Sequence, residues 1–156
     1  MTVPSSNKLI SVAVFAGFVL FSNASPAAEA IGQIKTETGT VTIQRGGAAK
    51  PAAIGDHVFQ SDTILTAANG TVGITFADNS MMSLGPNSRL SLDQFRFNPT
   101  THVGIFDSSL QKGTLAVKSG QIVHQTPEAM HIKTPAAILG VRGTEFVVRA
   151  GGGGWL

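Results

Sequence analysis

Residues 31–150 of this chain form a succession of short β-branched or apolar runs, cut by Gly, Asn, Asp, Pro and Ser. Within these runs apolar and polar residues alternate, so that Val41 and Ile43 would point one way and Thr42 the other, as half-buried strands require. No breaker-free stretch longer than about ten residues has the i, i+3, i+4 spacing of a helix. The sequence therefore predicts an all-β domain.

A short internal repeat accompanies the alternation. The triplets Ile-Thr-Phe, Met-Ser-Leu and Leu-Ser-Leu occupy residues 74–76, 82–84 and 90–92, and turn residues separate them. Short strands at fixed spacing suit either the stacked coils of a β-solenoid-like fold or a β-sandwich or roll. Both architectures stay open from the repeat alone.

The first thirty residues have the order of a secretory signal peptide. Lys8 supplies a weakly positive start, an apolar run fills residues 9–21, and Ala28-Glu29-Ala30 offers small residues for cleavage before Ile31. The apolar run is shorter than the roughly 20 residues that span a bilayer, which favours cleavage over a membrane anchor. We therefore predict a signal peptide at 1–30, a β domain at 31–150 and a flexible Gly-rich tail at 151–156.

Composition excludes several classes of function. The chain has no cysteine, which rules out disulfides, thiol catalysis and zinc–thiolate sites. Eleven Lys and Arg face nine Asp and Glu, and the predicted leader removes one of each, so the net charge stays +2. The cations are scattered, whereas phosphate binding needs several of them together. We expect no nucleic-acid partner.

The segment Thr-Pro-Ala-Ala-Ile-Leu-Gly-Val-Arg-Gly-Thr-Glu-Phe-Val-Val at residues 134–148, hereafter the closing motif, resembles the closing signature of FecR domains. Residues 39–45 resemble the opening strand of that family, and residues 54–66 resemble its Gly-Asp and Ile-x-Thr element. Residues 74–80 match the place where the family prefers Asp-Gly-Ser, here with Asn79 in place of Gly. Asn tolerates a positive φ nearly as well as Gly does, so the departure is mild.

The resemblance implies a β-solenoid-like domain in the bacterial periplasm. Its well-known members pass a signal from an outer-membrane receptor to a cytoplasmic sigma factor through a cytoplasmic segment and a membrane helix. This chain has a predicted signal peptide at that place, so the resemblance implies a free-standing periplasmic module. The residues that carry the motif, in a structural or partner-binding role, are Thr134, Pro135, Val141, Arg142, Gly143, Thr144 and Phe146.

Arg142 is the residue to single out, because it stands in an otherwise apolar segment where an unpaired buried charge would be costly. It could contact a partner, but we favour a structural role in which its guanidinium binds loop carbonyls or a carboxylate, such as Asp62, Asp78 or Glu145. Replacing it with alanine should then lower the melting temperature by several degrees. Gly140 and Gly143 should permit close backbone approach or a bulge.

Catalysis and metal binding find little support in the sequence. The histidines His57, His102, His124 and His131 are scattered without metal-ligand spacing, and no nucleophile motif is present. We expect no enzyme, no cofactor and no metal.

The hydroxyl residues of the repeat, Thr75, Ser83 and Ser91, should lie on the solvent side of strands, where a ladder of them could bind a glycan or another strand. The sequence thus predicts a non-enzymatic interaction module that binds another envelope protein, with envelope signalling as its candidate role. The alternative is a structural or glycan-binding envelope protein.

Overall fold

The computed structural model describes residue 2 and residues 25–151. Most of the predicted signal peptide and most of the Gly-rich tail therefore lie outside the described residues. Among the described residues, no helix is long and apolar enough to cross a membrane. The strands are β1 (Ala30–Thr38), β2 (Val41–Arg45), β3 (Ala48–Pro51), β4 (His57–Phe59), β5 (Thr63–Thr66), β6 (Thr71–Phe76), β7 (Met81–Leu84), β8 (Arg89–Phe97), β9 (Gly104–Lys118), β10 (Met130–Lys133), β11 (Ile138–Gly140) and β12 (Glu145–Ala150), and the helix is α1 (Gln121–Gln125).

The strands form one curled sheet whose two halves share the long strand β9. The first half has the order β3-β2-β5-β8-β9, with β10 and β11 beyond β9. The second half has the order β4-β1-β6-β7-β9, with β12 beyond β9. All pairs are antiparallel except β9 with β10. The all-β prediction is confirmed, and the pairing is that of a curled antiparallel roll.

A bend in β9 lets this one strand serve both halves. Phe106 and Leu110 point into the core in the first part of the strand, and Leu115 and Val117 do so in the second. The inward-facing residues have even numbers before the bend and odd numbers after it, which indicates a bulge, and the register of the pairing with β8 shifts at the same place. Gly113 follows at φ +95°, and a Cβ on it would lie 2.0 Å from Oγ of Ser88. The bend therefore requires glycine.

The core lies between the inner faces of the two halves. Phe76 of the second half meets Phe106 of the first, with ring centroids 4.6 Å apart, and Phe106 meets Phe95 at 5.0 Å. Edge-to-face contacts of this kind add to the stabilisation from burial. The hydroxyl of Ser108 interrupts the apolar lining, since Ser108 is fully buried and its Oγ has no hydrogen-bond partner among the described residues. The two halves are thus held together by aromatic packing.

The eight-residue repeat maps onto β6, β7 and β8. All six apolar residues of the three triplets are buried, which confirms the predicted alternation. β6 and β7 pair with each other, but β8 pairs with β5 and β9 in the other half. The three copies of the repeat therefore form strands with the same burial pattern but different pairing partners. They do not stack on one another as the coils of a solenoid would.

The turn between β6 and β7 has the geometry expected from the sequence. Asn79 has φ 65°, the positive value predicted for the residue in place of Gly. The buried carboxylate of Asp78 accepts hydrogen bonds from the backbone N–H and the hydroxyl of Ser80, at 3.0 and 2.6 Å. Oγ of Ser80 in turn accepts one from the N–H of Gly120 (3.0 Å), just before α1. This hydrogen bond ties the turn to the segment between β9 and α1.

Candidate functional site

The closing motif begins with a turn and an edge strand. The hydroxyl of Thr134 accepts a hydrogen bond from the N–H of Ala137 (3.1 Å), which closes a tight turn around the exposed Pro135. β11 follows and, among residues 25–151, pairs with β10 alone. Val141 then returns to the core, where it is buried, and its N–H donates to the carbonyl of Met130 (2.9 Å). The first part of the motif is therefore a strand held at both ends and open along one side.

The second part of the motif leads into β12. Ser119 donates from its N–H to the carbonyl of Thr144 (2.8 Å) and from its hydroxyl to the carbonyl of Gly143 (2.7 Å). Gly143 has φ +126°, yet a Cβ on Gly140 or Gly143 would meet nothing within 4 Å. Among the described residues no atom approaches either position closely, and a positive φ explains the glycine only at Gly143. Phe146 is partly buried against the core.

Arg142 differs from the sequence-based expectation. Its side chain is 73% exposed and pairs with Glu128, to which Nε donates at 2.7 Å. The partner of Arg142 is therefore a different carboxylate from the three candidates, Asp62, Asp78 and Glu145. An exposed ion pair contributes only about 0–1 kcal/mol, so the large structural role expected for Arg142 does not follow from this geometry.

The arginine with a buried partner is Arg45, which the sequence reasoning missed. Its Nε and Nη2 each donate to the carboxylate of Asp62 at 2.7 Å, and Asp62 is fully buried. Asp62 also accepts from the N–H of Phe59 (2.9 Å), and the guanidinium of Arg45 lies 4.2 Å from the centre of the Phe59 ring. The hydrogen bond to Asp62 raises the pKa of Arg45. In the sequence, the one signal for this pair is that Asp62 stands directly before a β strand.

The turn before β4 contains a second carboxylate with a local role. Asp56 accepts from Nζ of Lys50 (2.9 Å) and from the N–H of Ala53 (3.0 Å). The bond from Lys50, followed by that from Ala53, lowers the pKa of Asp56. This Asp belongs to the Gly-Asp element recognised in the sequence, and its side chain closes the turn.

The four histidines lie in different surroundings. His131 binds the carboxylate of Asp107 through Nδ1 (2.9 Å), and the ring of His102 stacks on Phe97 with centroids 6.1 Å apart. His57 and His124 are exposed. Within residues 25–151, no group of three or more His, Asp or Glu side chains is placed to hold a metal ion.

The repeat hydroxyls do not form one ladder. Thr75 and Ser83 lie on the outer face of the second half, whereas Ser91 lies on the outer face of the first half, 3.2 Å from the hydroxyl of Thr63. Through paired strands, Ser91 belongs to a polar row across the first half. The row consists of Gln44, Thr63, Ser91, Ser109 and Lys133.

The exposed apolar residues of the closing motif were not anticipated. Ile138 on β11 is 68% exposed and Leu139 is 38% exposed. Two adjacent aliphatic residues in a strand normally indicate burial on both faces, so their exposure could not be predicted from the sequence. β11 itself carries no charged residue. The structure thus places an uncharged, apolar edge strand inside the motif.

Comparison with protein families supports the resemblance of the closing motif to FecR domains. The family model described as FecR protein matches residues 62–155. This span includes the turn at Asn79 and the whole closing motif, while the opening strand β2 lies before it. No curated protein and no solved structure matches the chain. Because the family model covers more than half of the sequence, the chain belongs to the FecR family.

Proposed function

We propose that this protein is an exported, non-enzymatic FecR module of the bacterial periplasm, which binds another envelope protein and acts in envelope signalling. FecR proteins are a signalling family associated with the cell envelope. The order of charge, apolar run and small-residue site in residues 1–30 supports export. Ala30, the last residue before the proposed cleavage point, is also the first residue of β1.

The observation that carries the proposal is the open edge of β11. The N–H of Val141 bonds to Met130 and the N–H of Thr134 bonds to Ala137, so the alternation of an antiparallel pair turns the backbone groups of Ile138 and Gly140 away from β10. Uncharged edge strands are templates for pairing with another chain. The exposed Ile138 would add a side-chain contact to the backbone hydrogen bonds, as in recognition by strand addition.

A capture experiment tests the partner and the edge together. Tagged protein is incubated with periplasmic and membrane extract, and the wild type is compared with Ile138→Lys, because an edge lysine discourages strand addition. Ile54→Lys is the matched control, since Ile54 is 64% exposed on a distant turn. We expect an envelope protein that the wild type and Ile54→Lys retain and Ile138→Lys loses. Equal capture by all three would refute the role of β11.

A glycan-binding or structural role is the second candidate. The polar row of Gln44, Thr63, Ser91, Ser109 and Lys133 offers hydroxyl, amide and ammonium groups on one outer face. Retention on peptidoglycan or surface polysaccharide would favour this candidate. Ser91→Trp should then abolish retention by covering the row, while Ser83→Trp on the other outer face should leave it unchanged.

A further inference from the structure

β12 is a second open edge, with a different character from β11. The strand pairs with β9 along one side and with no other strand among residues 25–151. Ser119 donates to the carbonyl of Thr144 at the start of this ladder (2.8 Å), so the backbone groups of Phe146 and Val148 also face β9. By the same alternation, the N–H and C=O groups of Glu145, Val147 and Arg149 point to the open edge.

The side chains of these three residues share the outer face. Glu145, Val147 and Arg149 are all exposed, and Val147 is 64% exposed. Glu145 has only a long contact with Lys118 (3.8 Å), and Arg149 forms no ion pair with any described residue. The edge therefore presents an acid, an aliphatic residue and a base at equal spacing along the strand.

This arrangement is complementary to itself. If a second copy of β12 lies antiparallel beside the first with Val147 opposite Val147, each Glu145 stands opposite Arg149 of the second copy. The same register places Phe146 opposite Val148 on the other face. It also brings together the backbone groups that point to the open edge, for up to about six hydrogen bonds. Opposite charges directly across an antiparallel pair attract, and aliphatic pairs pack.

We propose that the occupant of this edge is a second copy of the chain, in a symmetric dimer that joins the two sheets through β12. A two-fold axis requires one patch to fit itself, which the Glu145, Val147 and Arg149 pattern does. Charges on an edge strand usually prevent association, because two copies repel each other. Here they repel only in a parallel arrangement and attract in the antiparallel one.

Charge reversal tests the register. Sedimentation of the full chain should show a concentration-dependent dimer. Glu145→Arg and Arg149→Glu should each weaken it by about tenfold or more, because each puts like charges opposite each other twice per dimer. The double variant Glu145→Arg with Arg149→Glu should restore the dimer. A wild type that stays monomeric at every accessible concentration, or a double variant as weak as the singles, would overturn the proposal.

Cysteine cross-linking tests the geometry independently, since the chain has no cysteine of its own. Val147→Cys should form a disulfide-linked dimer under mild oxidation, because residues opposite each other lie about 5.5 Å apart, within disulfide reach. Met81→Cys is the control, as Met81 is exposed on β7 of the same face. Its copies would be separated by five strand spacings, about 24 Å. Equal cross-linking at both positions would contradict the β12 contact. Neither experiment depends on the partner proposed for β11.

Discussion

Replacing Arg45 with alanine should destabilise the fold far more than replacing Arg142. Arg45 makes two hydrogen bonds of 2.7 Å to the fully buried carboxylate of Asp62. Removing one partner of a buried ion pair costs about 3–5 kcal/mol. The Arg45 side chain is 46% exposed, so water reaches part of the vacated site and the lower figure of about 3 kcal/mol applies.

The expected shifts in melting temperature separate the two arginines. About 3 kcal/mol corresponds to a fall of about 10 °C for a domain of this size. Arg142→Ala removes an exposed pair with Glu128 worth about 0–1 kcal/mol, so its melting temperature should fall by no more than about 4 °C. Thermal unfolding followed by circular dichroism, checked by urea unfolding, measures both changes.

A double variant identifies the cause. Arg45→Met combined with Asp62→Asn removes both charges, and replacing a whole buried pair is often nearly neutral. We expect it to be more stable than Arg45→Ala. If Arg45→Ala melted close to the wild type, or if the double variant were less stable than Arg45→Ala, the unpaired charge of Asp62 would not be the source of the loss.

Three further measurements test other features of the fold. In urea unfolding, Ser108→Ala should leave the free energy of unfolding unchanged or raise it by up to about 1 kcal/mol, because the Ser108 hydroxyl has no hydrogen-bond partner among the described residues. Ser80→Ala should lower the free energy of unfolding by about 2 kcal/mol, because the Ser80 hydroxyl is hydrogen-bonded. Gly113→Ala should abolish or severely reduce folding, as judged by yield and circular dichroism; Gly47→Ala, also at positive φ but in open space, should cost only about 1 kcal/mol. Because the pKa of Asp56 is lowered in the fold, its contribution is present above its ordinary value of 3.8 and is lost as the pH falls through the folded-state value. The melting temperature of Asp56→Asn should therefore lie below that of the wild type at pH 6 and approach it in acid; a constant difference would contradict this.

Local signals in the sequence were sufficient for several elements. Alternation predicted that the triplet at residues 74–76 has its apolar side chains on one face, and in β6 both are buried. The Asn79 turn has the predicted positive φ. These features depend on a few neighbouring residues: side chains alternate along a strand, and Asn tolerates the left-handed region. The resemblance of the closing motif to FecR domains likewise depends on contiguous residues, and the matching family model extends over residues 62–155.

In the candidate site, the surroundings of Arg142 and of β11 could not be predicted from neighbouring residues. The sequence drew attention to Arg142 because its neighbours are apolar, but the chain turns its side chain outward to Glu128. Ile138 and Leu139 point to opposite faces of β11, and both are exposed on a strand that pairs only with β10 among residues 25–151. Whether a strand lies at an edge depends on the order of the sheet, and the sequence of that strand does not contain this order.

Alternation along the chain was sufficient to predict the all-β fold class and the inward-facing residues of the repeat. Three features appear only in the folded chain: β8 leaves β7 for the other half of the sheet, Arg45 binds Asp62, and β11 and β12 each keep one side open among residues 25–151. The physical reason is that alternation specifies the face of a strand, whereas its neighbours are chosen by contacts between residues far apart in the chain, such as those of Phe76 with Phe106.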